Sequence, residues 1–295
     1  MFLEQLRALL DRYPDSVSLG EITSEDSLAT MAEYTHGDTR LHMSYSFELL
    51  GDDFSAYHIK NTVETLEEKM ADGWPCWAVS NHDVVRVVSR WGSEITSETG
   101  RETFAKLLIA LLSSLRGTIC TYQGEELGLT EAIIQQHQLQ DPYGKQFWPE
   151  FKGRDGCRTP MSWHAEDALA GFSDTKSWLP LPPEHREKSV ASQEKNQASV
   201  LSFYKQMIAW RSGQDCLKLG DICVAERADN VLSIERSRNH QTIFGYFNLS
   251  DTNTAIAIAP DLDLMHTAPH IDNNAVLENQ TLLLKPYSFA FLNIP

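Results

Sequence analysis

Two hydrophobic rhythms alternate along the first two thirds of the chain. Phe2, Leu3, Leu6, Leu9, Leu10 and Tyr13 recur at helical spacing on one face, and Pro14-Asp15 stops that helix. VSLGEI, Val17 to Ile22, reads as a short buried strand, and Asp26 to Tyr34 predicts a short helix. In RLHMSYSFELL, Leu41, Met43, Tyr45 and Phe47 alternate with the period of two of a strand. Ile59, Val63, Leu66 and Met70 mark a second long helix, closed by Gly73 and Pro75. The run Trp77-Ala78-Val79 predicts a third strand that ends in Ser80-Asn81-His82-Asp83. Phe104, Leu107, Leu108, Leu111, Leu112 and Leu115 mark another helix, closed by Gly117, and TICTYQ follows as a fourth strand.

Strands and helices in alternation predict a parallel α/β sheet. Residues 130–195 break the rhythm. They are rich in proline, glycine and tryptophan, and a loop of that size reads as a binding element. Val200, Phe203, Met207 and Trp210 mark one last helix. From about Leu217 the texture changes to short strands broken by Asn, Asp and Pro, as in TIFGYFNLSD and YSFAFLNIP. The expected division is therefore an α/β domain over 1–213 and an antiparallel β domain over 214–295.

Composition narrows the function classes. The 295 residues are 42% hydrophobic and 22% charged, ordinary for a globular protein with one large and one small domain. A formal net charge of -16 disfavours nucleic-acid and anionic-membrane partners and fits a small neutral substrate. The five cysteines, Cys76, Cys120, Cys157, Cys216 and Cys223, are odd in number and lack C-x-x-C spacing. They predict neither a disulfide framework nor a metal site, and they fit a reducing compartment. Glu4 and Arg7 interrupt any signal-peptide core, and the longest apolar run, Leu107 to Leu112, is too short to cross a bilayer. A cytoplasmic protein without a cofactor is the expectation.

In parallel α/β folds the ligand lies at the carboxyl ends of the strands. Those ends hold Glu21, then Phe47-Glu48, then Asn81-His82-Asp83, then Tyr122 to Glu126. Two strand-end carboxylates, Glu21 and Asp83, are the residue types that glycoside hydrolysis requires: one protonated donor and one ionised group facing a cationic transition state. A histidine such as His82 beside them suits a sugar hydroxyl. Spacing leaves a second reading open, in which Glu21 and Asp83 cap the helices that follow them.

LGEI, SNHDVVR and GRDGCRTPMSW (Gly153 to Trp163), in that order, resemble the α-amylase family, glycoside hydrolase family 13, and within it the α-glucosidase and oligo-1,6-glucosidase branch. YQGEELGL, FGYFNLSD and PYSFAFLNIP fit the same branch, so the resemblance covers essentially the whole chain. It implies a (β/α)8 TIM barrel, with the four strands here matching the fifth to the eighth, followed by a small antiparallel β-sandwich domain. It implies Glu21 as general acid/base, Asp83 as transition-state stabiliser, and His82 as a hydrogen-bonding partner in the innermost subsite. Arg154 matches a loop arginine on the aglycone side, with an ion pair to Asp155 as its structural alternative. Phe47 lines the pocket or belongs to the core. Glu125 and Glu126 match the family pattern but read as structural hydrogen-bonding residues.

The family's nucleophile, an aspartate in a GFRxD-like segment after the fourth barrel strand, has no counterpart in these residues, and a calcium loop near the first strand would lie upstream as well. The resemblance therefore implies an N-terminally truncated α-glucosidase for α-linked gluco-oligosaccharides or disaccharides, inactive alone. A missing N-terminal half or a second copy is expected to cover the open barrel edges. A sucrose-isomerising or glucosyl-transferring member is the near alternative. A non-catalytic carbohydrate-binding or partner protein is the distant one, and the joint presence of Glu21, His82 and Asp83 argues against it.

Overall fold

The computed structural model describes residues 2–70, 73–227 and 230–294. Along the chain run α1 (Phe2–Leu10), β1 (Leu19–Ile22), α2 (Ser27–Thr35), β2 (Met43–Ser46), α3 (Ala56–Met70), β3 (Cys76–Trp77), α4 (Val87–Arg90), α5 (Glu98–Ser114) and β4 (Thr118–Ile119). The excursion holds the short helices α6 (Pro142–Phe147), α7 (Pro183–Glu187) and α8 (Val190–Glu194), and α9 (Val200–Ser212) and α10 (Asp215–Leu219) follow it. Strands close the chain: β5 (Asp221–Arg227), β6 (Val231–Arg238), β7 (Gln241–Asn248), β8 (Thr254–Ala257), β9 (Asp263–Leu264), β10 (Ala275–Glu278), β11 (Thr281–Leu284) and β12 (Phe289–Asn293). These form two compact units, one of Met1–Ala78, Ala110–Cys120 and Trp210–Pro295, the other of Val79–Ile109 and Thr121–Ala209.

In the first unit β1 lies parallel to β2, with Leu19 opposite Met43 and Ile22 opposite Ser46. A parallel bridge from Ser44 to Pro75 sets β3 beside β2, and β3 pairs in parallel with β4, Cys76 opposite Thr118. The four strands thus stand in chain order, as the alternating pattern predicts. Gly117 makes the last pairing possible. Its φ is +107°, and a Cβ there would sit 2.3 Å from the Pro75 carbonyl oxygen, so only glycine lets the chain enter β4 so close to β3. Helix α3 buries Ala56, Ile59, Thr62, Val63, Leu66 and Met70, a stripe at i, i+3, i+4 and i+7 spacing, and packs with α2. Helix α1 forms where its periodicity predicts, but none of its residues is buried, and Phe2, Leu9 and Tyr13 are exposed.

The closing strands of this unit build two antiparallel sheets, β5-β6-β7-β12-β9 and β10-β11-β8. Val231, Tyr246, Ile256, Leu282, Leu284 and Leu292 form a shared core. Arg236, fully buried on β6, donates to the carbonyls of Asp221, Ser114, Leu217 and Gly220 at 2.7–3.1 Å. Burial without a carboxylate partner pushes its pKa down to about 10.

The second unit carries the excursion. The strand predicted over Trp77-Ala78-Val79 ends at Trp77, and beyond it the Val79 carbonyl accepts from Arg90 Nη2 at 2.6 Å. The long stretch after β4 is held by small apolar clusters, Leu127, Leu129 and Leu201 in one, Ala132, Ile134, Leu139 and Leu179 in another. His185 is fully buried, Nε2 bonded to the Thr130 carbonyl at 2.8 Å and Nδ1 to Thr159 Oγ1 at 3.2 Å. Among the described residues, no helix is long and apolar enough to cross a membrane.

Candidate active site

In the second unit the chain leaves β3 through Ser80-Asn81-His82-Asp83. Asn81 Oδ1 accepts the Asp83 N–H at 2.9 Å, a local Asx turn that fixes the backbone of Asp83. Ser80 Oγ accepts the Val87 N–H at 3.0 Å, satisfying the first donor of α4. The cap of α2 is Asp26, whose carboxylate accepts the Ala29 N–H at 3.0 Å. Ser80 thus holds the first N–H of α4, and Asp26 caps α2.

Asp83 Oδ1 is the meeting point of three side chains. Arg154 Nη1 donates to it at 3.0 Å and Arg158 Nη2 at 2.7 Å, and His82 Nε2 lies 3.6 Å away. Arg158 also donates from Nε to the His82 carbonyl at 2.6 Å, so one guanidinium grips both residues of the pair. The bonds to Asp83 converge on a single oxygen, while its side chain stays 32% exposed. A carboxylate so held presents its other oxygen in one orientation, with cationic donors alongside.

Arg154 is held from behind by Asp141. Its Nε donates to Asp141 Oδ2 at 2.9 Å, its Nη2 to Oδ1 at 3.2 Å, and its backbone N–H to Oδ2 at 2.9 Å. This two-pronged bond fits the planar guanidinium fork. Asp141 also caps α6 through the Tyr143 N–H, with Pro142 at the first helical position. Its side chain is wholly shielded from solvent, and the hydrogen bonds from Arg154 bring its pKa down to about 2. The same bonds push the Arg154 pKa up. The Tyr143 ring lies under the guanidinium, 5.6 Å from its centre. The structure pairs Arg154 with Asp141 and Asp83, while buried Asp155 accepts the backbone N–H groups of Gln140 and Asp141 at 2.5 and 2.9 Å.

Behind this cluster Arg86 is buried. It donates from Nη1 to the Gln123 carbonyl at 2.6 Å, and its centre lies 5.5 Å from the Tyr122 ring. The Glu131 carboxylate accepts the Arg86 N–H at 2.9 Å, and burial pushes the Glu131 pKa up. Glu126 accepts the Gly124 N–H at 2.8 Å and is likewise shifted up by burial.

In the first unit Glu21 sits on β1 opposite Tyr45, and its side chain is exposed. Phe47, half-buried, follows β2 and opens the 3-10 turn Glu48–Leu50. Of the five side chains singled out from the sequence, the structure gathers His82, Asp83 and Arg154 in one cluster, and it sets Glu21 and Phe47 at neighbouring strand ends of the other unit. Two residues of the cluster escaped the sequence reading. Arg158 stands in the same motif as Arg154. Asp141 precedes Pro142, a helix-start signal that says nothing of its second partner.

Comparison with known proteins adds a frame. The sequence model of the family described as "Alpha amylase, catalytic domain" matches residues 1–220. A probable α-glucosidase of Rhizobium meliloti is 44% identical over 252 residues, 85% of this chain and 45% of that protein. The crystal structure of an α-glucosyl transfer enzyme superposes with a TM-score of 0.92 at 47% identity, covering 100% of this chain and 54% of that one. The trehalulose synthase of Pseudomonas mesoacidophila shares the fold with a TM-score of 0.85 at 22% identity, covering 100% and 58%. The chain spans about half the length of the curated relative and of both solved structures.

Proposed function

Since the chain belongs to the α-amylase family, with four strands of that family's barrel and an antiparallel β domain, we propose that it carries part of a retaining, α-glucosidase-type centre for neutral α-linked gluco-oligosaccharides or disaccharides. Glu21 is the general acid/base and Asp83 the transition-state stabiliser. His82 and Arg154 contact the sugar, and Phe47 lines its pocket. The observation that supports this most is the grip of Arg154 and Arg158 on one oxygen of Asp83, with His82 beside it. A retaining mechanism also needs a nucleophilic carboxylate roughly 5 Å from the acid. No residue here matches the family's nucleophile, and we place that group in a segment upstream of these 295 residues, or in a partner half-barrel. In this reading the chain alone is catalytically silent, works in the cytoplasm without a cofactor, and divides into its barrel part and its β domain near residues 213–214, between the end of α9 and the start of β5.

A second reading, glucosyl transfer in place of hydrolysis, draws support from the α-glucosyl transfer enzyme at 47% identity. The two share the covalent step and differ in whether water or an alcohol accepts the sugar.

One assay tests both. Nitrophenol release from 4-nitrophenyl α-glucoside is measured for the chain alone, for the chain joined to the upstream half of the Rhizobium meliloti relative, and for the joined form carrying Glu21→Gln. Silence, activity and silence, in that order, are expected. Undiminished activity in the Glu21→Gln form would overturn the assignment of the acid, and turnover by the chain alone would overturn the missing nucleophile. Glucose released in step with nitrophenol marks a hydrolase; a deficit of glucose when an alcohol is added marks a transferase.

A further inference from the structure

Glu131 stands in the sequence between the two loops that build the candidate site, one carrying His82 and Asp83, the other Arg154 and Arg158, and it is tied to both. On one side it holds α4. Its Oε2 accepts the Arg86 N–H at 2.9 Å, and its own N–H donates to Ser89 Oγ at 2.8 Å. Arg86 is three residues past Asp83 and directly precedes α4. That helix is too short to stand by propensity, so bonds from outside set its place. On the other side Glu131 meets the loop 153–158. The N–H of the next residue, Ala132, donates to the Gly156 carbonyl at 3.1 Å. Gly156 also presses on the carboxylate: a Cβ there would lie 2.1 Å from Glu131 Oε1 and 2.7 Å from the Ala132 carbonyl oxygen, so only glycine brings the loop so close. The residue before Glu131, Thr130, adds a further link. Buried His185 bonds its carbonyl through one ring nitrogen and Thr159 Oγ1, next to Arg158, through the other.

We propose that Glu131 is a positioning residue of the candidate centre: its carboxylate holds the Asp83 loop and the Arg154–Arg158 loop at the spacing in which both guanidiniums reach Asp83 Oδ1. The distances leave little slack. Arg154 and Arg158 reach that oxygen at 3.0 and 2.7 Å, so a shift of about 1 Å between the loops takes both beyond hydrogen-bonding range. Glu131 acts through Arg86 and Gly156, and contact with the sugar stays with His82, Asp83 and Arg154.

Burial pushes the Glu131 pKa up and favours the neutral carboxyl, so an acceptor oxygen, more than a charge, makes the tie. The half-buried side chain lines a cavity of about 490 Å³ together with Val88, Ser89, Thr130 and His185. Truncating it therefore enlarges a space that already exists and opens no new hole in the core, so the fold survives the loss of the tie. Tyr122 Oη gives the second loop another hold by donating to the Cys157 carbonyl at 3.0 Å, which makes the loss graded. The consequence for sugar chemistry rests on the reading of Asp83 as the stabiliser; the tie between the loops does not.

Hydrogen exchange read by mass spectrometry on the chain as it stands tests the tie. In Glu131→Ala, amides in 82–90 and in 153–159 should exchange about tenfold faster than in the wild type, while β6 and β7 keep their rates. Glu131→Gln keeps an acceptor in the same place and should restore the wild-type pattern. Unchanged exchange in either loop, equal acceleration throughout the chain, or a Glu131→Gln pattern like that of Glu131→Ala would each overturn the proposal. In the form joined to the upstream half, Glu131→Ala should lower kcat for 4-nitrophenyl α-glucoside about 10- to 100-fold and change KM less than about threefold, and Glu131→Gln should recover kcat. A wild-type kcat in Glu131→Ala would overturn the positioning role even if the loops loosen. A joined form that is silent without any substitution counts against the functional reading, and the exchange pattern still decides whether Glu131 holds the loops.

Discussion

Asp141 shows how one carboxylate can organise a site it never enters. It holds Arg154 by a two-pronged bond, and Arg154 in turn holds Asp83. Its folded pKa of about 2 lies below the ordinary value of 3.8, so the ionised form is favoured by folding. The sign is that of a depressed acid: the stabilisation is complete above pH 4 and drains away as pH falls toward 2, by about 2 to 3 kcal/mol in all. An Asp141→Asn variant should lose about that much stability in urea unfolding at pH 7, and its deficit should shrink between pH 4 and 2. Buried His185 runs on a different pH window. Burial brings its pKa from 6.5 to about 4, so the fold holds it neutral while the unfolded chain takes up a proton first. Stability should be full above pH 6.5 and fall by about 3 kcal/mol as pH drops to 4. His185→Asn should flatten the urea-midpoint profile across that range; a profile that keeps its slope would assign the pH dependence to other groups.

Among the elements, α4 and the β3–β4 pair are the most exposed to single changes. The α4 helix is four residues long and cannot sustain itself by propensity, so the bond from the Val87 N–H to Ser80 Oγ matters disproportionately. Ser80→Ala should cost about 1 kcal/mol in urea unfolding and loosen the turn that carries His82 and Asp83. Gly117 is less forgiving. With φ at +107° and the Pro75 carbonyl oxygen 2.3 Å from any added Cβ, Gly117→Ala should cost about 2 kcal/mol or more and prise β4 from β3.

At the scale of the whole molecule, surface chemistry and interior ties pull in different directions. The charge of -16 favours dispersion in water. Yet Phe2, Leu9, Tyr13, Val17 and Leu19 are exposed together near the start of the chain, and β1 pairs with β2 alone among the described strands. An unpaired strand edge flanked by apolar side chains invites association. The chain should therefore associate at micromolar concentration, and Leu9→Glu with Leu19→Lys should return it to a monomer of 33.3 kDa in size-exclusion chromatography with light scattering. Inside the first unit Arg236 is the opposite case, a charge with four carbonyl partners and no solvent. Arg236→Met would strip those carbonyls of a donor at one stroke and should cost about 3 kcal/mol or more.

The amino-acid order by itself determined what depends on near neighbours. The apolar period of α3, the alternation in β2 and the strand-rich texture after Leu217 are local, so burial of one face was legible before any coordinates. SNHD was legible too, at the end of a predicted strand, and GRDGCRTP as a stretch resembling the family. Local pattern placed α1, whose Leu3, Leu6 and Leu10 are only half-buried, and it overran β3, which ends at Trp77. Only the tertiary structure decided the pairings. Arg154 reaches Asp141 and Asp83 across 13 and 71 positions and passes over adjacent Asp155. Charge and composition leave such choices open, because a hydrogen bond is selected by the direction in which folded backbone aims each donor, and that direction is set by contacts distant in the chain.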